Sequence, residues 1–262
     1  MNCKISVLAS GSSGNSIYVS DGKINILVDA GLSGKDLEKR LNKIGVSANE
    51  IDAILITHEH RDHVSGAGIF SRRYNIPIYA NDPTWTNSYK CIGNIDDKHC
   101  EIIKNDFMLG DIAVHPFSIS HDAASPFAYI LYCNNKKIGI ATDMGYFDEK
   151  IVNELKKLDF LVIEANHDLD MLMTGDYPWN VKHRIKGEEG HLSNDDTAAL
   201  LPKIIGDNEP HILLAHLSED NNNPEVAYIT VKNSLRANGF KEGKDYSLDF
   251  TYQDKPTRVY EI

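Results

Sequence analysis

The chain has 262 residues, of which 42% are hydrophobic and 25% are charged, a composition that excludes a disordered, collagen-like or coiled-coil protein. Lys and Arg total 27 against 38 Asp and Glu, so the formal net charge is −11. This acidic balance argues against a general electrostatic attraction for nucleic acid, while it leaves room for a local basic patch. The unusual number is the eleven histidines.

The sequence lacks the features of a secreted or membrane protein. Its N-terminal apolar run is too short for a signal peptide, and no run approaches the roughly 18 apolar residues of a membrane span. The four cysteines form no C-x-x-C pair, so we expect neither a disulfide framework nor a thiolate zinc site, as in a reducing compartment. These features predict a soluble cytoplasmic protein with no membrane partner. Because no repeat or long linker interrupts the chain, we expect a single domain over residues 1–262.

The first half of the chain alternates short β-like runs with turns. Runs of Val, Ile and Leu bounded by Gly, Ser and Asp predict strands over 5–9, 16–19, 24–29, 51–57, 112–119, 127–133 and 137–142. A helix is predicted over 34–45, because Leu37, Leu41 and Ile44 recur at helical spacing and Gly45 suits its C-terminal end. A second helix is predicted over 148–158.

The second half continues the mixed pattern. Strands are predicted over 160–164 and 211–215, and amphipathic helices over 194–205 and 225–237, the first capped by Ser193 or Asn194. Residues 166–190 show no period, and a long irregular segment is usually functional or mobile. Since hairpin-like strands precede the alternating strands and helices, the predicted architecture is two mixed sheets flanked by helices.

The motif ITHEHRDH follows the strand predicted over 51–57 and carries His58, His60, Asp62 and His63. Imidazole and carboxylate groups are ordinary ligands of zinc and similar divalent ions. A single histidine on an apolar face is usually structural, but four ligand-type side chains at this spacing make poor core material. The motif therefore predicts a metal site.

This motif resembles the signature of the metallo-β-lactamase-fold hydrolases, which have a four-layer αββα architecture. Four further motifs match that family in the same order: LVDAG with Asp29, SISHDA with His121, ATDMG with Asp143 and LLAHLS with His216. The resemblance implies that Asp29 orients the metal loop without binding metal.

The resemblance also implies two divalent metal ions. One would be held by His58, His60 and His121, the other by Asp62, His63 and His216, and Asp143 would bridge both. Such ions can share a water, lower its pKa towards neutrality and polarise a substrate oxygen, so a metal-bound hydroxide would serve as nucleophile. Zinc suits this donor set, with manganese and iron as alternatives.

Several features favour phosphodiester hydrolysis over the other reactions of this fold. A carboxylate-rich two-metal site suits phosphoryl chemistry, and His191 resembles the extra histidine of tRNase Z-like and cyclic phosphodiesterase members. Asp62 and His191 are therefore predicted to be catalytic, His191 by assisting the leaving oxygen. The alternative for His191 is a local hydrogen bond before a helix.

Five short motifs, SGSSGN, EANHD, GDYP, GHLSN and AHLSEDNN, resemble the YycJ/WalJ branch of this fold family. Its members are regarded as metal-dependent nucleases, with 5′-to-3′ exonuclease activity on double-stranded DNA as the leading proposal. The resemblance thus implies DNA as substrate.

Aromatic and basic side chains within 166–190 provide candidate substrate contacts. Tyr177 and Trp179 could stack on bases, and Lys182 and Arg184 could pair with phosphates, whereas the alternative is a solvated loop. His167 is predicted to line the pocket, or else to partner Glu164 or Asp168.

Two other functions remain open at this point. A thioester or lactone hydrolase, similar to glyoxalase II or to the lactonases, would use the same metal ligands. A metal-binding scaffold without turnover would also keep them.

Overall fold

The computed structural model describes residues 2–262, and within them the strands form two seven-stranded sheets. The first sheet has the order β14-β1-β2-β3-β4-β5-β6. Its strands are β1 Lys4–Ala9, β2 Ser16–Ser20, β3 Asn25–Val28, β4 Ala53–Leu55, β5 Ile78–Ala80, β6 Cys100–Ile102 and β14 Tyr260–Glu261. The pairs from β14 to β3 are antiparallel and those from β3 to β6 are parallel.

The second sheet repeats this mixture with the order β13-β12-β11-β10-β9-β8-β7. Its strands are β7 Phe107–Leu109, β8 Ile112–Ser118, β9 Phe127–Cys133, β10 Lys136–Ala141, β11 Phe160–Glu164, β12 His211–Ala215 and β13 Ser247–Phe250. Strands β10 to β13 run parallel, and the hairpins β7–β8, β8–β9 and β9–β10 are antiparallel. The prediction of two mixed sheets is confirmed.

Helices cover the outer face of each sheet. They are α1 Gly34–Lys43, α2 Arg61–Val64, α3 Ala67–Tyr74, α4 Asp82–Ile92, α5 Glu149–Glu154, α6 Leu169–Thr174, α7 Trp179–Lys186, α8 Asn194–Ile204 and α9 Pro224–Ala237. Apolar residues of α1 and α3 pack on the first sheet, and those of α5, α8 and α9 pack on the second. A third apolar cluster joins the facing sides of the two sheets. The four-layer αββα order is therefore confirmed, while the single domain over residues 1–262 stays a prediction.

The central strands are continuous apolar runs because both of their faces are buried. Residues 160–164 are fully buried, and so are residues 212–215. Ser193 caps α8 by accepting a hydrogen bond from the Asp196 amide, as predicted. Helix α5 ends at Glu154, earlier than predicted, and the chain turns at Lys157, whose φ is +56°.

The segment 166–190, predicted to be irregular, contains the short helices α6 and α7. At six and eight residues, these helices are too short for a periodic apolar face to be recognised in the sequence. The signals that were available are their starts, at Asp168 and Pro178. The prediction of irregular structure was wrong here.

A disulfide bond joins Cys3, before β1, to Cys133, at the end of β9. It links the two sheets across a sequence separation of 130 residues. The sequence led us to expect no disulfide framework, and this single bridge was not predicted. Within residues 2–262, none of the helices combines the length and the apolar character that crossing a membrane requires. The cytoplasmic location stays a prediction.

Candidate metal centre and cleft

The predicted ligands follow the carboxyl ends of strands from both sheets. His58 to His63 come after β4, His121 after β8, Asp143 after β10 and His216 after β12. Because the strand ends meet at one edge of the αββα layers, ligands far apart in the sequence lie close together. The structure thus brings the seven predicted ligands to one place.

The ligands predicted for the first ion form a compact cluster. His58 Nε2 lies 3.1 Å from His60 Nδ1, which lies 3.3 Å from His121 Nε2. All three offer nitrogen atoms within 4.8 Å of one another. Gly190 fixes His121 through its carbonyl, 3.0 Å from His121 Nδ1. Three converging imidazoles are a common zinc-binding arrangement.

The ligands predicted for the second ion are also neighbours. His63 Nε2 lies 3.4 Å from Asp62 Oδ2 and 3.4 Å from Asp143 Oδ2. His216 Nε2 lies 4.0 Å from Asp62 Oδ2, and His216 Nδ1 lies 2.9 Å from Asp143 Oδ1. Asp143 Oδ1 also lies 3.9 Å from His121 Nε2, a predicted ligand of the first ion. Asp143 therefore lies between the two ligand sets, as a shared ligand must.

The surroundings of Asp143 show that the donor set suits cations. Its Oδ2 is buried and has no hydrogen-bond partner, an arrangement that is costly unless something positive satisfies the oxygen. Burial raises the pKa of Asp143, but His216 and His63 outweigh it and hold the pKa well below its usual range. Burial also lowers the pKa of His216, yet Asp143 and Glu164 raise it to about 10. The centre thus attracts positive charge.

Three site residues have left-handed backbone conformations. The φ angles of Asp29, Asp143 and His216 are +63°, +59° and +54°. Such angles are unfavourable for residues other than glycine and concentrate at functional sites. Here each residue turns the chain one or two positions after the end of a strand, which aims its side chain at the centre.

Asp29 holds the metal loop, as the resemblance implies. Its Oδ2 lies 2.7 Å from His63 Nδ1, and its two oxygens accept hydrogen bonds from the Thr57 amide and hydroxyl. This contact fixes the ring of His63 so that Nε2 faces the centre. Asn15, from the SGSSGN motif, similarly donates to Asp62 Oδ2 at 3.1 Å.

His191 is held by the carboxylate of Glu164, which the sequence suggested only as an alternative partner of His167. His191 Nδ1 lies 2.7 Å from Glu164 Oε1, and the fully buried Glu164 also accepts hydrogen bonds from the amides of Met144 and Leu192. Burial raises the pKa of Glu164, but His191 and His216 outweigh it and lower the pKa to about 2. The signal in the sequence that could have identified Glu164 was the position of a glutamate at the end of a buried strand.

Gly145 allows the segment before His191 to approach the Asp143 loop. A side chain at Gly145 would place its Cβ only 2.1 Å from the Glu188 carbonyl oxygen. Only glycine fits such a close backbone approach. His191 is thereby placed beside the metal ligands.

An open cleft of about 280 Å³ exposes this centre. It is lined by predicted ligands, by His191 and by two of the predicted substrate contacts. The lining comprises Ser12, His60, Asp62, His121, Asp143, Asn166, Tyr177, Arg184, Ile185, His191, His216, Leu217 and Ser218. Tyr177 donates its hydroxyl proton to Asp220 Oδ2 at 2.6 Å.

The other predicted substrate contacts lie elsewhere. Trp179 is 62% exposed but lines a separate groove on α7. Lys182 is buried and donates to the carbonyls of Met173 and Gly175 at 2.8 and 2.6 Å. Its ammonium group therefore fastens α6 to α7, and the prediction that Lys182 contacts phosphate was wrong.

His167 is buried and is not among the residues that line the cleft. It is 1% exposed, and neither ring nitrogen has a hydrogen-bond partner. The predictions of a pocket position and of a hydrogen bond to Glu164 or Asp168 are therefore both contradicted. Burial lowers its pKa to about 4.

The buried His167 should make the protein less stable in acid. Between pH 6.5 and 4 the unfolded chain binds a proton at His167 that the folded chain does not, so folding loses stability as the pH falls. From pH 7.5 to 5.0 this amounts to about 2 kcal/mol. Urea unfolding in EDTA should show that His167→Gln removes this part of the pH dependence, whereas the exposed-site variant His183→Gln keeps it. Equal slopes for wild type and His167→Gln would contradict the assignment.

Comparison with known proteins agrees with this architecture. The beta-lactamase superfamily domain family matches residues 24–216. Exodeoxyribonuclease YycJ of Bacillus anthracis is 41% identical over 261 residues, covering 99% of each chain. Exodeoxyribonuclease WalJ of Streptococcus pneumoniae is 40% identical over 263 residues, covering 99% of this chain and 98% of WalJ. The crystal structure of the metallo-beta-lactamase fold protein YhfI from Bacillus subtilis has a TM-score of 0.75 at 15% identity and full coverage of both chains, which supports the fold alone.

Proposed function

The chain belongs to the beta-lactamase superfamily and, within it, to the family of the exodeoxyribonucleases YycJ and WalJ, and from this premise we propose that it is a metal-dependent phosphodiesterase that degrades DNA. The near-full-length likeness to two proteins named exodeoxyribonucleases supports DNA as the substrate. The resemblance of its motifs to the YycJ/WalJ branch supports exonucleolytic removal of nucleotides in the 5′-to-3′ direction.

One observation carries the chemical part of the proposal: His191, held by the buried Glu164, opens on the same cleft as the metal-ligand clusters. Phosphodiester hydrolysis needs stabilisation of charge on phosphorus oxygens and a proton for the leaving alkoxide. Hydrolysis of a thioester depends less on such a proton, because a thiolate is a better leaving group than an alkoxide. The arrangement therefore favours phosphodiesters.

We assign two divalent ions to the centre. His58, His60 and His121 would hold the first, Asp62, His63 and His216 the second, and Asp143 would contact both. Such ions act as Lewis acids and lower the pKa of a bound water towards neutrality. Zinc suits the five histidines and two aspartates, and manganese and iron are compatible alternatives.

The chain's own groups supply orientation and the proton. Glu164 engages His191 Nδ1, which leaves Nε2 as the nitrogen that can hold a proton for the leaving oxygen. Asp62, 24% exposed and anchored by Asn15, faces the cleft as both ligand and catalytic residue. Asp29 keeps His63 in the orientation that ligation requires.

The test combines metal analysis with a panel of substrates. Protein purified without added metal is analysed by inductively coupled plasma mass spectrometry and then assayed, metal by metal, on four substrates. These are a duplex DNA labelled at either 5′ or 3′ end, bis-p-nitrophenyl phosphate, a thioester and a lactone. We expect metal-dependent release of nucleotides from the 5′ end of the duplex.

The other outcomes separate the alternatives. Hydrolysis of only the thioester or the lactone would replace the proposal with the glyoxalase II-like or lactonase-like activity. A metal-loaded protein that is inert on all four substrates would support the scaffold. Release from the 3′ end would overturn the polarity and keep the nuclease.

A further inference from the structure

One ion pair joins helix α7 to the loop that carries His121. Arg184 Nε and Nη2 each lie 2.5 Å from Asp122 Oδ2. We propose that Asp122 is a positioning residue that holds Arg184 at the cleft, where its guanidinium binds a phosphate of the DNA strand. This inference rests on the proposed function and names the group that recognises the substrate backbone.

Arg184 is the cleft's source of permanent positive charge. Among the cleft-lining residues in the described part of the chain, 2–262, it is the one lysine or arginine. In a chain with a net charge of −11, attraction of a polyanion by protein side chains at the cleft therefore depends on this side chain. A guanidinium has five N–H donors, of which Asp122 takes two, so three remain for a phosphate. The Arg184 side chain is 66% exposed, which leaves these donors accessible.

Asp122 is itself fixed to the metal loops. Its amide donates to the Glu189 carbonyl at 3.0 Å, and its carbonyl lies 3.2 Å from His60 Nε2. Two residues further on, the Ala124 amide donates to Glu59 Oε1 at 2.7 Å. A carboxylate on so constrained a loop restrains the long arginine side chain, and less conformational entropy is then lost when a phosphate binds.

Asp122 also lies next to predicted ligands of the first ion. Its Oδ1 is buried, has no hydrogen-bond partner and lies 3.3 Å from His121 Nε2. The carboxylate therefore spans the short distance between the metal-ligand cluster and Arg184. A phosphate bound by Arg184 would consequently lie beside the centre.

The variant Asp122→Asn distinguishes positioning from simple charge. Removal of a negative charge at the cleft would strengthen DNA binding if only the net charge mattered. If Asp122 positions Arg184, the same variant must weaken binding. The two explanations predict opposite signs.

Binding is measured by fluorescence anisotropy with a phosphorothioate duplex and metal-loaded full-length protein. We expect Asp122→Asn, Arg184→Ala and Arg184→Lys each to raise Kd by about tenfold, because charge-assisted hydrogen bonds are lost. The double variant Asp122→Asn/Arg184→Ala should be no weaker than Arg184→Ala. Arg184→Ala should also reduce the slope of log K against log salt by about one. Lys186→Ala, which removes an exposed cation from α7 outside the cleft, serves as control and should change Kd less than about twofold.

The results that overturn the inference are distinct from failure of the proposed function. Tighter binding by Asp122→Asn, an unchanged Kd for Arg184→Ala, or loss of metal from Asp122→Asn would overturn the positioning role alone. Absence of DNA binding and cleavage by the wild-type protein would overturn the nuclease proposal and this inference with it. Turnover of bis-p-nitrophenyl phosphate by the control Lys186→Ala should stay within about twofold of the wild type.

Discussion

Replacing His191 by alanine should lower kcat on duplex DNA by about 10²- to 10⁴-fold, the usual contribution of a general acid. The bound metal should stay the same, because His191 Nδ1 is engaged by Glu164 and all seven predicted ligands remain. Metal content is the decisive control, since His191 also lies in a cluster with Asp143, Glu164 and His216 whose ligand atoms are within 4.8 Å of one another. Loss of an ion from His191→Ala would show that His191 is a ligand.

Substrates with different leaving groups distinguish a general acid from a residue with only a structural role. The p-nitrophenolate ion leaves without being protonated, whereas the alkoxide of DNA requires a proton. His191→Ala should therefore lose less than about tenfold on bis-p-nitrophenyl phosphate. An equal loss on both substrates would contradict proton donation. The exposed-site variant His183→Ala, on α7, should leave both rates unchanged.

Glu164→Gln tests how His191 is oriented. Glutamine keeps the size of the side chain but removes the charge that faces His191 Nδ1 at 2.7 Å. We expect a loss of about tenfold to a hundredfold in kcat, as is typical when a partner that orients a functional histidine is changed. In the double variant His191→Ala/Glu164→Gln the second substitution should add little, because Glu164 acts through the histidine.

The sequence predicted which candidate ligands lie together far better than it predicted the positions of the substrate contacts. A ligand motif at the end of an apolar strand constrains position strongly, because the strand ends of this fold meet at one edge. His58 and His121 lie together although 63 positions separate them in the sequence. Lys182 shows the opposite case. A lysine in a basic segment can contact a phosphate, or it can be buried and donate hydrogen bonds to backbone carbonyls, as Lys182 does. The path of the backbone determines which of the two occurs.

Long-range contacts account for most of what the sequence could not predict. Glu164 contacts His191, 27 positions further along the chain, and Cys3 forms a disulfide bond with Cys133, 130 positions further along. No local sequence pattern predicts either pair. Strands β5, β6, β7 and β14 have only two or three residues, too few for an alternating pattern. Helix α4 was missed although Asn81 and Pro83 mark its start, so that signal was available.

Replacing Asp143 by asparagine should abolish turnover and reduce the bound metal. Asp143 lies beside His63 and His216, predicted for the second ion, and 3.9 Å from His121 Nε2, predicted for the first. Both ion sites would therefore lose a charged ligand at once. We expect DNA cleavage to fall by more than about 10³-fold, because neither ion can then stabilise the reaction fully. Plasma mass spectrometry after dialysis should find fewer ions per chain than in the wild type.

Asparagine is a better substitution than alanine at position 143 because of the left-handed backbone conformation there. The φ of Asp143 is +59°, which asparagine tolerates and which would cost alanine about 1 kcal/mol. In EDTA, Asp143→Asn should unfold at a lower temperature than the wild type, because the buried pairs of Asp143 with His216 and His63 are lost. The change in Tm on adding metal is therefore compared, not the Tm itself. Asp111→Asn, at an exposed site in the β7–β8 turn, should behave like the wild type in every assay.

Stabilisation by added metal tests whether Asp143 is a ligand. An ion that binds only the folded chain stabilises it by RT ln(1 + [L]/Kd), about 4 kcal/mol at a thousand times Kd. Added zinc should accordingly raise the Tm of the wild type and of Asp111→Asn, and raise that of Asp143→Asn far less. If zinc stabilises Asp143→Asn as much as the wild type, Asp143 is no ligand and the shared-carboxylate arrangement is wrong.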